Sequence, residues 1–343
     1  FMSHSEMRIG DRIIGGNHPA FVIAEAGFNH NGSLDLAISL IDAAADSGAD
    51  AIKFQSYTTR EFLHASVNYA HFFESARLDE AAHRGCIEHA KKRGILFGST
   101  PLDTGWIATL HGLGADFLKI ASMDLTSPTI LNAAAATGRP VICSTGLGSM
   151  DEIGEALRIL EEAGGQEIAL LHCVSLYPTP IAKANLRAMQ TMQATFRRPV
   201  GFSDHTLGID VPLWAVAAGA CCIEKHFTLD KTMPGPDQSQ SLDPQEFRKM
   251  VDAIRTLESA LGGGDKEPCD EEKPLIRKTR RGLEVIRDVK SGEQVRRSDF
   301  RAVRPVADPD GIMAWEEETL TGGRYARDIA AETLLRHGDI SKA

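Results

Sequence analysis

Two histidines and two lysines stand where their types and surroundings point to chemistry. His205 follows Ser203-Asp204 and His226 follows Glu224-Lys225, each at the end of a short β-forming run, 200–203 and 222–226. If those runs are neighbouring strands, the imidazoles meet side by side. Two neutral imidazoles with open positions suit a divalent first-row metal acting as a Lewis acid. Asp204 and Glu224 would flank them as groups that orient the ligands. Two histidines that merely cap loops is the plainer reading, and the paired placement weighs against it.

Lys53 and Lys119 each sit in an apolar run, Ala51-Ile52-Lys53-Phe54 and Leu118-Lys119-Ile120. An ammonium among such residues must find an anion, because an unpaired buried charge is expensive. Thr100, Ser122, Ser144 and Ser203 end other β-forming runs and supply hydroxyls. Cations ringed by hydroxyls describe a pocket for phosphate and carboxylate. The competing reading pairs a lysine with Glu25 or Glu224. Glu25, closing Val22-Ile23-Ala24, reads either as a base or sugar-hydroxyl ligand or as that lysine partner. Tyr177, followed by Pro178 and Pro180, and Asp237, in the constrained Pro234-Gly235-Pro236-Asp237 segment, would present a ring and a carboxylate from rigid loops. Asn29-His30-Asn31-Gly32 reads equally as a loop reaching the site or as the turn into a helix.

These residues need elements to position them. Strand-like runs occur at 21–26, 51–55, 95–98, 117–120, 141–144, 168–173, 200–203 and 222–226. Helix-period stretches fall between them, at 33–47, 79–93, 150–162 and 210–218, and 243–261 follows the last run until Gly262-Gly263-Gly264 stops it. Eight strand–helix units predict a (β/α)8 barrel rather than a doubly wound sheet. In a barrel all the polar strand ends converge on one mouth. The expected organisation is a barrel over 1–264, a charged linker over 265–281 and a small β-rich module over 282–343 with strands at 283–286 and 302–303.

Composition narrows the function classes. Among 343 residues, Asp plus Glu total 47 against 37 Lys plus Arg, a net charge of −10, which opposes nucleic-acid binding. No apolar run reaches the length of a membrane span. Six cysteines form no CxxC pair; Cys143, Cys173, Cys221 and Cys222 lie in apolar runs and read as reduced, buried thiols. With no signal-peptide pattern before the first strand, and Phe1 ahead of Met2 read as a cloning remnant, a cytoplasmic location is expected.

The motifs resemble those of the sialic acid synthases and their nonulosonate relatives. The resemblance lies in Ile23-Ala24-Glu25-Ala26-Gly27, Asn29-His30-Asn31-Gly32, Lys53-Phe54-Gln55, Ser99-Thr100-Pro101, Lys119-Ile120-Ala121-Ser122 and Ser144-Thr145-Gly146. It continues through His172-Cys173, Tyr177-Pro178-Thr179, Ser203-Asp204-His205-Thr206, Glu224-Lys225-His226-Phe227 and Pro234-Gly235-Pro236-Asp237, and so spans nearly the whole chain. The tail, with Val289-Lys290-Ser291-Gly292-Glu293 and Arg304-Pro305, resembles the antifreeze-like (SAF, β-clip) domain of that family.

The resemblance implies condensation of phosphoenolpyruvate with an N-acyl hexosamine of N-acetylmannosamine type. It implies His205 and His226 as ligands of a divalent metal, Mn2+ first, with Mg2+ or Co2+ as substitutes. Lys53, Thr100, Lys119, Ser122, Ser144 and Ser203 become phosphoenolpyruvate contacts; Glu25, Gln55, Tyr177 and Asp237 become sugar-side groups. Arg304 resembles an arginine that one subunit inserts over its partner's barrel in a domain-swapped homodimer. The sequence departs from the pattern in three places. Ser175 stands where some members have Asn beside phosphoenolpyruvate, Val306-Ala307-Asp308-Pro309-Asp310-Gly311 lacks a Pro-Gly-x-Gly run, and 58–77 is short. Legionaminic or pseudaminic acid synthesis is the nearest alternative. An inactive barrel whose tail binds polysaccharide or a partner is the non-enzymatic one, opposed by the intact lysines and histidines.

Overall fold

Alternation along parallel strands explains the architecture. In the computed structural model, which describes residues 6–306 and 308–341, a hairpin of β1 (Glu6–Ile9) and β2 (Arg12–Gly15) precedes the barrel. Phe1, Met2 and Ala307 lie outside the described residues. The barrel strands are β3 (Phe21–Gly27), β4 (Ala51–Ser56), β5 (Leu96–Pro101), β6 (Phe117–Ile120), β7 (Val141–Ser144), β8 (Ile168–Cys173), β9 (Val200–Asp204) and β10 (Cys222–His226). They close into one parallel barrel in chain order, β10 pairing with β3. Helices follow the strands, among them Leu34–Asp46, Glu80–Arg93, Met150–Glu162, Asp210–Ala217 and Pro244–Leu261. The (β/α)8 expectation holds.

Every barrel strand is buried almost throughout, as helix-covered parallel strands must be. On β3 the outward residues Val22 and Ala24 join the layer packed against the helices. The inward Phe21 and Ile23 instead join Phe117, Ile142, Leu171 and the hairpin residues Met7, Ile9 and Ile14. The hairpin therefore plugs the floor of the barrel. Its two four-residue runs are too short to carry a periodic signal in the sequence. One step above Ile23 on the same inner face stands Glu25, so the lumen is greasy below and charged at the mouth.

The polypeptide divides into two compact units, Phe1–Gly262 and Gly263–Ala343. In the second, β11 (Gly282–Val285) pairs antiparallel with β12 (Phe300–Val303), and β13 (Arg324–Tyr325) with β14 (Ile340–Ser341). Its core gathers Leu283, Val285, Val295, Phe300, Ile312, Tyr325 and Leu335. The expected strands were offset by a residue or two at their ends, the usual uncertainty where short strands meet turns. The linker stretch carries a helical turn, Ile276–Thr279, within this unit.

Packing inside the lumen yields a test. A Cβ built on Gly98 would fall 2.1 Å from the buried Phe117 ring. Gly98→Ala should destabilise the protein by about 1–3 kcal/mol in urea unfolding, the range for overpacking. Adding Phe117→Leu should recover part of the loss; no loss in the single variant would show that the ring is free to move.

Candidate active site

Register does the assembly at the mouth. His226 lies opposite Glu25 between β10 and β3, Glu25 opposite Lys53 between β3 and β4, and Glu224 opposite Ser203 between β10 and β9. A cavity of about 270 Å³ results. Among the sequence-predicted residues, Glu25, Lys53, Gln55, Thr100, Lys119, Ser122, Ser144, Ser175, Tyr177, Ser203, His205 and His226 all line it. Asp237 stands just behind, its Oδ2 3.7 Å from His226 Nδ1. Arg304 belongs to the second unit, where it is exposed at the end of β12.

The lysines meet both anions that the sequence offered. Lys53 Nζ is 2.5 Å from Glu25 Oε2 and 3.8 Å from Glu224 Oε2, and Lys119 Nζ is 3.8 Å from Glu224 Oε1. Lys53 also donates to Thr100 Oγ1 at 2.8 Å, Lys119 to Ser144 Oγ at 2.6 Å. Each of these hydroxyls accepts an ammonium proton, which leaves its own hydrogen free to turn toward a ligand. Ser203 donates to Glu224 Oε1 at 3.0 Å and Gln55 Nε2 to Glu25 Oε1 at 3.3 Å. Lysine pairing and a ligand pocket are therefore one arrangement.

Electrostatics separates the two carboxyls. Burial opposes ionisation of Glu224, yet Lys119 and Lys53 outweigh it and hold its pKa down near about 2. For Glu25 burial prevails over Lys53, with the charge of Glu224 adding to it, and pushes it up to about 7. Lys53 is raised: burial works against its charge, but Glu224 and Glu25 more than offset that.

The imidazole pair occupies the other side. The ring centroids of His205 and His226 are 5.5 Å apart, and Tyr177 lies 4.1 Å from His205, centroid to centroid. His205 Nδ1 donates to Val174 O at 2.9 Å, which fixes the proton on that nitrogen and leaves Nε2 as a bare lone pair. His226 Nδ1 is buried with no hydrogen-bond partner. A buried imidazole nitrogen that makes no hydrogen bond among the described residues, with the Asp237 carboxylate behind it, beside a second ring of set tautomer fits a divalent ion. Among the described residues no cluster of three His, Cys, Asp or Glu side chains accompanies them. Two imidazoles could hold such an ion, with its other positions open to substrate or water.

Loops hold these groups in place. Thr179 N donates to His205 O at 2.8 Å and Thr179 Oγ1 to Leu176 O at 2.8 Å, closing the Tyr177 loop against the histidine strand. Asn29 Nδ2 reaches Phe227 O at 2.8 Å, and Asn31 Nδ2 reaches Pro234 O at 3.1 Å. The Asn29–Gly32 turn therefore braces the segment bearing Asp237. Gly27, at φ 49°, allows the turn: a side chain there would hold the left-handed backbone under strain, although its Cβ would only touch Asp237 Oδ2 and Glu25 Oε1, each at 3.4 Å.

The two carboxylates expected to flank the histidines take different places. Asp204 does not face the cavity; β9 alternates, and its carboxylate turns outward to Lys225. Glu224, read from the sequence either as a group flanking the histidines or as a lysine partner, is the shared counter-ion of the lysines. The cavity also gains Cys173, Met123 and Leu147, whose types carried no chemical signal. The 58–77 stretch contributes Phe62, Phe72 and Phe73 to an aromatic cluster with Phe28 and Tyr57, scattered too widely along the chain to be read from periodicity.

Comparison with known proteins settles the family. Residues 40–266 match the model of the NeuB family. The chain belongs to the NeuB family. It is 40% identical to an N,N'-diacetyllegionaminic acid synthase of Campylobacter jejuni, covering 92% of this chain and 98% of that protein. The enzyme of the same description from Legionella pneumophila is 39% identical, with 94% of each chain covered. Among solved structures, the N-acetylneuraminic acid (sialic acid) synthetase of Leptospira borgpetersenii, in complex with citrate, is 41% identical with a TM-score of 0.76, over 80% of this chain and 95% of that one. The protein is thus a phosphoenolpyruvate-dependent condensing enzyme acting on a sugar.

As a NeuB-family enzyme with four buried charges at its mouth, it should depend on their balance. Lys53→Met leaves Glu25 and Glu224 facing each other and should cost about 3–5 kcal/mol at pH 8, the usual result of breaking a buried pair. At pH 5 Glu25, whose pKa is already raised, takes up a proton in place of the missing cation, so the loss should shrink. An equal loss at both pH values in urea unfolding would contradict the charge balance drawn here.

Proposed function

We propose that this enzyme joins phosphoenolpyruvate to the open-chain aldehyde of an N-acyl hexosamine of N-acetylmannosamine type, yielding a sialic acid-like nonulosonate and phosphate. The observation that carries the reading is the convergence of an ammonium pair and an imidazole pair on one cavity. Lys53 and Lys119, with the hydroxyls of Thr100, Ser122, Ser144 and Ser203, take the carboxylate and phosphate of phosphoenolpyruvate, and Ser175 lies on that side. His205 and His226 would hold a divalent ion, Mn2+ or in its place Mg2+ or Co2+, which would supply Lewis-acid polarisation of the aldehyde. Gln55, Tyr177 and Asp237 orient the sugar.

Carbon 3 of phosphoenolpyruvate forms the new bond to the aldehyde carbon, whose oxygen takes up a proton from solvent and becomes a hydroxyl. The oxocarbenium left at carbon 2 is met by water. Glu25 takes the proton that water loses; a carboxyl raised toward neutrality suits a base working near pH 7. The tetrahedral centre then collapses to the ketone, the bond from carbon 2 to oxygen breaks, and phosphate leaves. Fixed ammonium groups stabilise the anionic ends without reorganising.

The relatives described as N,N'-diacetyllegionaminic acid synthases support a second reading, the same bond made to a sugar carrying two acetamido groups. Phosphate release from phosphoenolpyruvate with a panel of N-acyl hexosamines, with and without Mn2+, separates the readings. N-acetylmannosamine should support metal-stimulated turnover. Preference for a diacetamido sugar would establish the second reading, and silence with every sugar would favour a binding role.

We further propose a domain-swapped homodimer in which Arg304 of an antifreeze-like domain completes the partner's site. Exposed apolar side chains at the barrel's loops, Met123, Leu147, Leu176, Tyr177 and Leu207, support a covered face. Mixing Arg304→Ala subunits with Lys119→Ala subunits should restore activity, up to about half of the sites in a random heterodimer being intact. No recovery despite demonstrated subunit exchange would rule the swap out.

A further inference from the structure

Asp204 and Lys225 lie outside the cavity, yet each is the residue immediately before one of the two histidines. Asp204 leaves the outer face of β9 and Lys225 the outer face of β10, opposite each other in the parallel register. Both are buried to 1% exposure. Lys225 Nζ sits 2.6 Å from Asp204 Oδ2 and also donates to Thr206 O. Asp204 in turn accepts from Thr206 N at 2.9 Å and from Thr206 Oγ1 at 3.0 Å. His205 thus rides on a three-residue arch, and both feet of the arch, Asp204 and Thr206, are fastened to the residue that precedes His226.

Stability alone does not account for this pair. A lysine and an aspartate buried this deeply cost much to desolvate, and apolar side chains of similar volume often hold such a place as well or better. What ions and directed hydrogen bonds add is geometry. We propose that Asp204 and Lys225 are positioning residues, a clamp behind the barrel wall that sets the separation and aim of His205 and His226. The inference rests on the two-imidazole metal reading and extends it to residues that never touch the metal.

The test uses the full chain, stripped of metal by a chelator, with Mn2+ as the probe. Free Mn2+ is followed by electron paramagnetic resonance, and phosphoenolpyruvate binding without metal is followed by calorimetry. Asp204→Asn with Lys225→Met removes the ion pair but keeps a side-chain oxygen for Thr206 N. Mn2+ binding should weaken by roughly tenfold to a hundredfold, the range for lost outer-shell partners. Phosphoenolpyruvate binding, which uses the lysine side, should change less than twofold. Lys225→Arg, which keeps the charge, should recover part of the Mn2+ affinity.

Unchanged Mn2+ binding in the double variant overturns the clamp, as does an equal loss of both ligands, since that is what a general structural defect produces. A wild-type protein that takes up no Mn2+ defeats the metal reading itself, and the clamp with it. Should the double variant not fold, Thr206→Val removes only the hydroxyl bracing Asp204. Mn2+ binding should then weaken about threefold, within the range for one hydrogen bond, with phosphoenolpyruvate binding held; no change there overturns the clamp as well.

Discussion

Two ammonium groups and two carboxyls buried at the barrel mouth constrain everything built around them. Lys53, Lys119, Glu25 and Glu224 are nearly inaccessible to solvent, so none can lose its partner without a large desolvation penalty. Their arrangement is not symmetric. Glu224 lies within reach of both lysines and is held ionised, whereas Glu25 has Lys53 against it and is driven toward its protonated form. Two carboxyls on neighbouring strands acquire different roles by this route, one a fixed counter-charge and the other a group able to move a proton. Hydroxyls finish the arrangement, since they accept from the ammonium groups and retain a hydrogen to offer.

Such a network needs a frame that keeps every inward residue inward. Parallel strands provide it, because the side-chain period of two leaves no intermediate orientation. On β3 the same face carries Phe21 and Ile23 at the plugged floor and Glu25 at the mouth; on β10 it carries Glu224 and His226, with Lys225 turned out. A slip of one residue would put Lys225 in the cavity and both site groups into the helix layer. The apolar floor and hairpin plug thus serve the chemistry indirectly, by fixing register from below.

The same alternation shows what could be read from the residues alone. The strands were legible because buried parallel strands appear as unbroken apolar runs, and charges ending such runs are conspicuous. Glu25, Lys53, Lys119, His205 and His226 stood out for that reason. Nearness to His205 does not tell which way Asp204 points; counting back from an inward His205 does, and it turns Asp204 outward to Lys225. Other features carried no local signal. Met7, Ile9 and Ile14 sit in strands of four residues, and the Phe28, Tyr57 and Phe72 cluster joins segments far apart in the chain. Cys173 looked like a small hydrophobe, which is how it packs, apart from the face it shows to the cavity.

Choice of sugar falls largely to groups beyond the strands, with Gln55 on β4 the exception. Relatives described as legionaminic acid synthases and a structure described as a sialic acid synthetase are equally similar to this chain, near 40% identity in each case. The lysines and hydroxyls proposed to take phosphoenolpyruvate come from strand ends and the turns just after them, where backbone hydrogen bonds leave little room for change. Discrimination between acylated hexoses requires contacts at substituents remote from the aldehyde, and a pocket distinguishes these through groups that are left unpaired by the wrong sugar. The Tyr177 loop, the Asp237 segment braced by Asn29 and Asn31, and the aromatic excursion over 58–77 are the parts of the barrel unit able to vary without disturbing the buried charges. Loops that also brace the histidine side can in this way carry the choice of sugar, while the buried charges stay fixed on the strands beneath them.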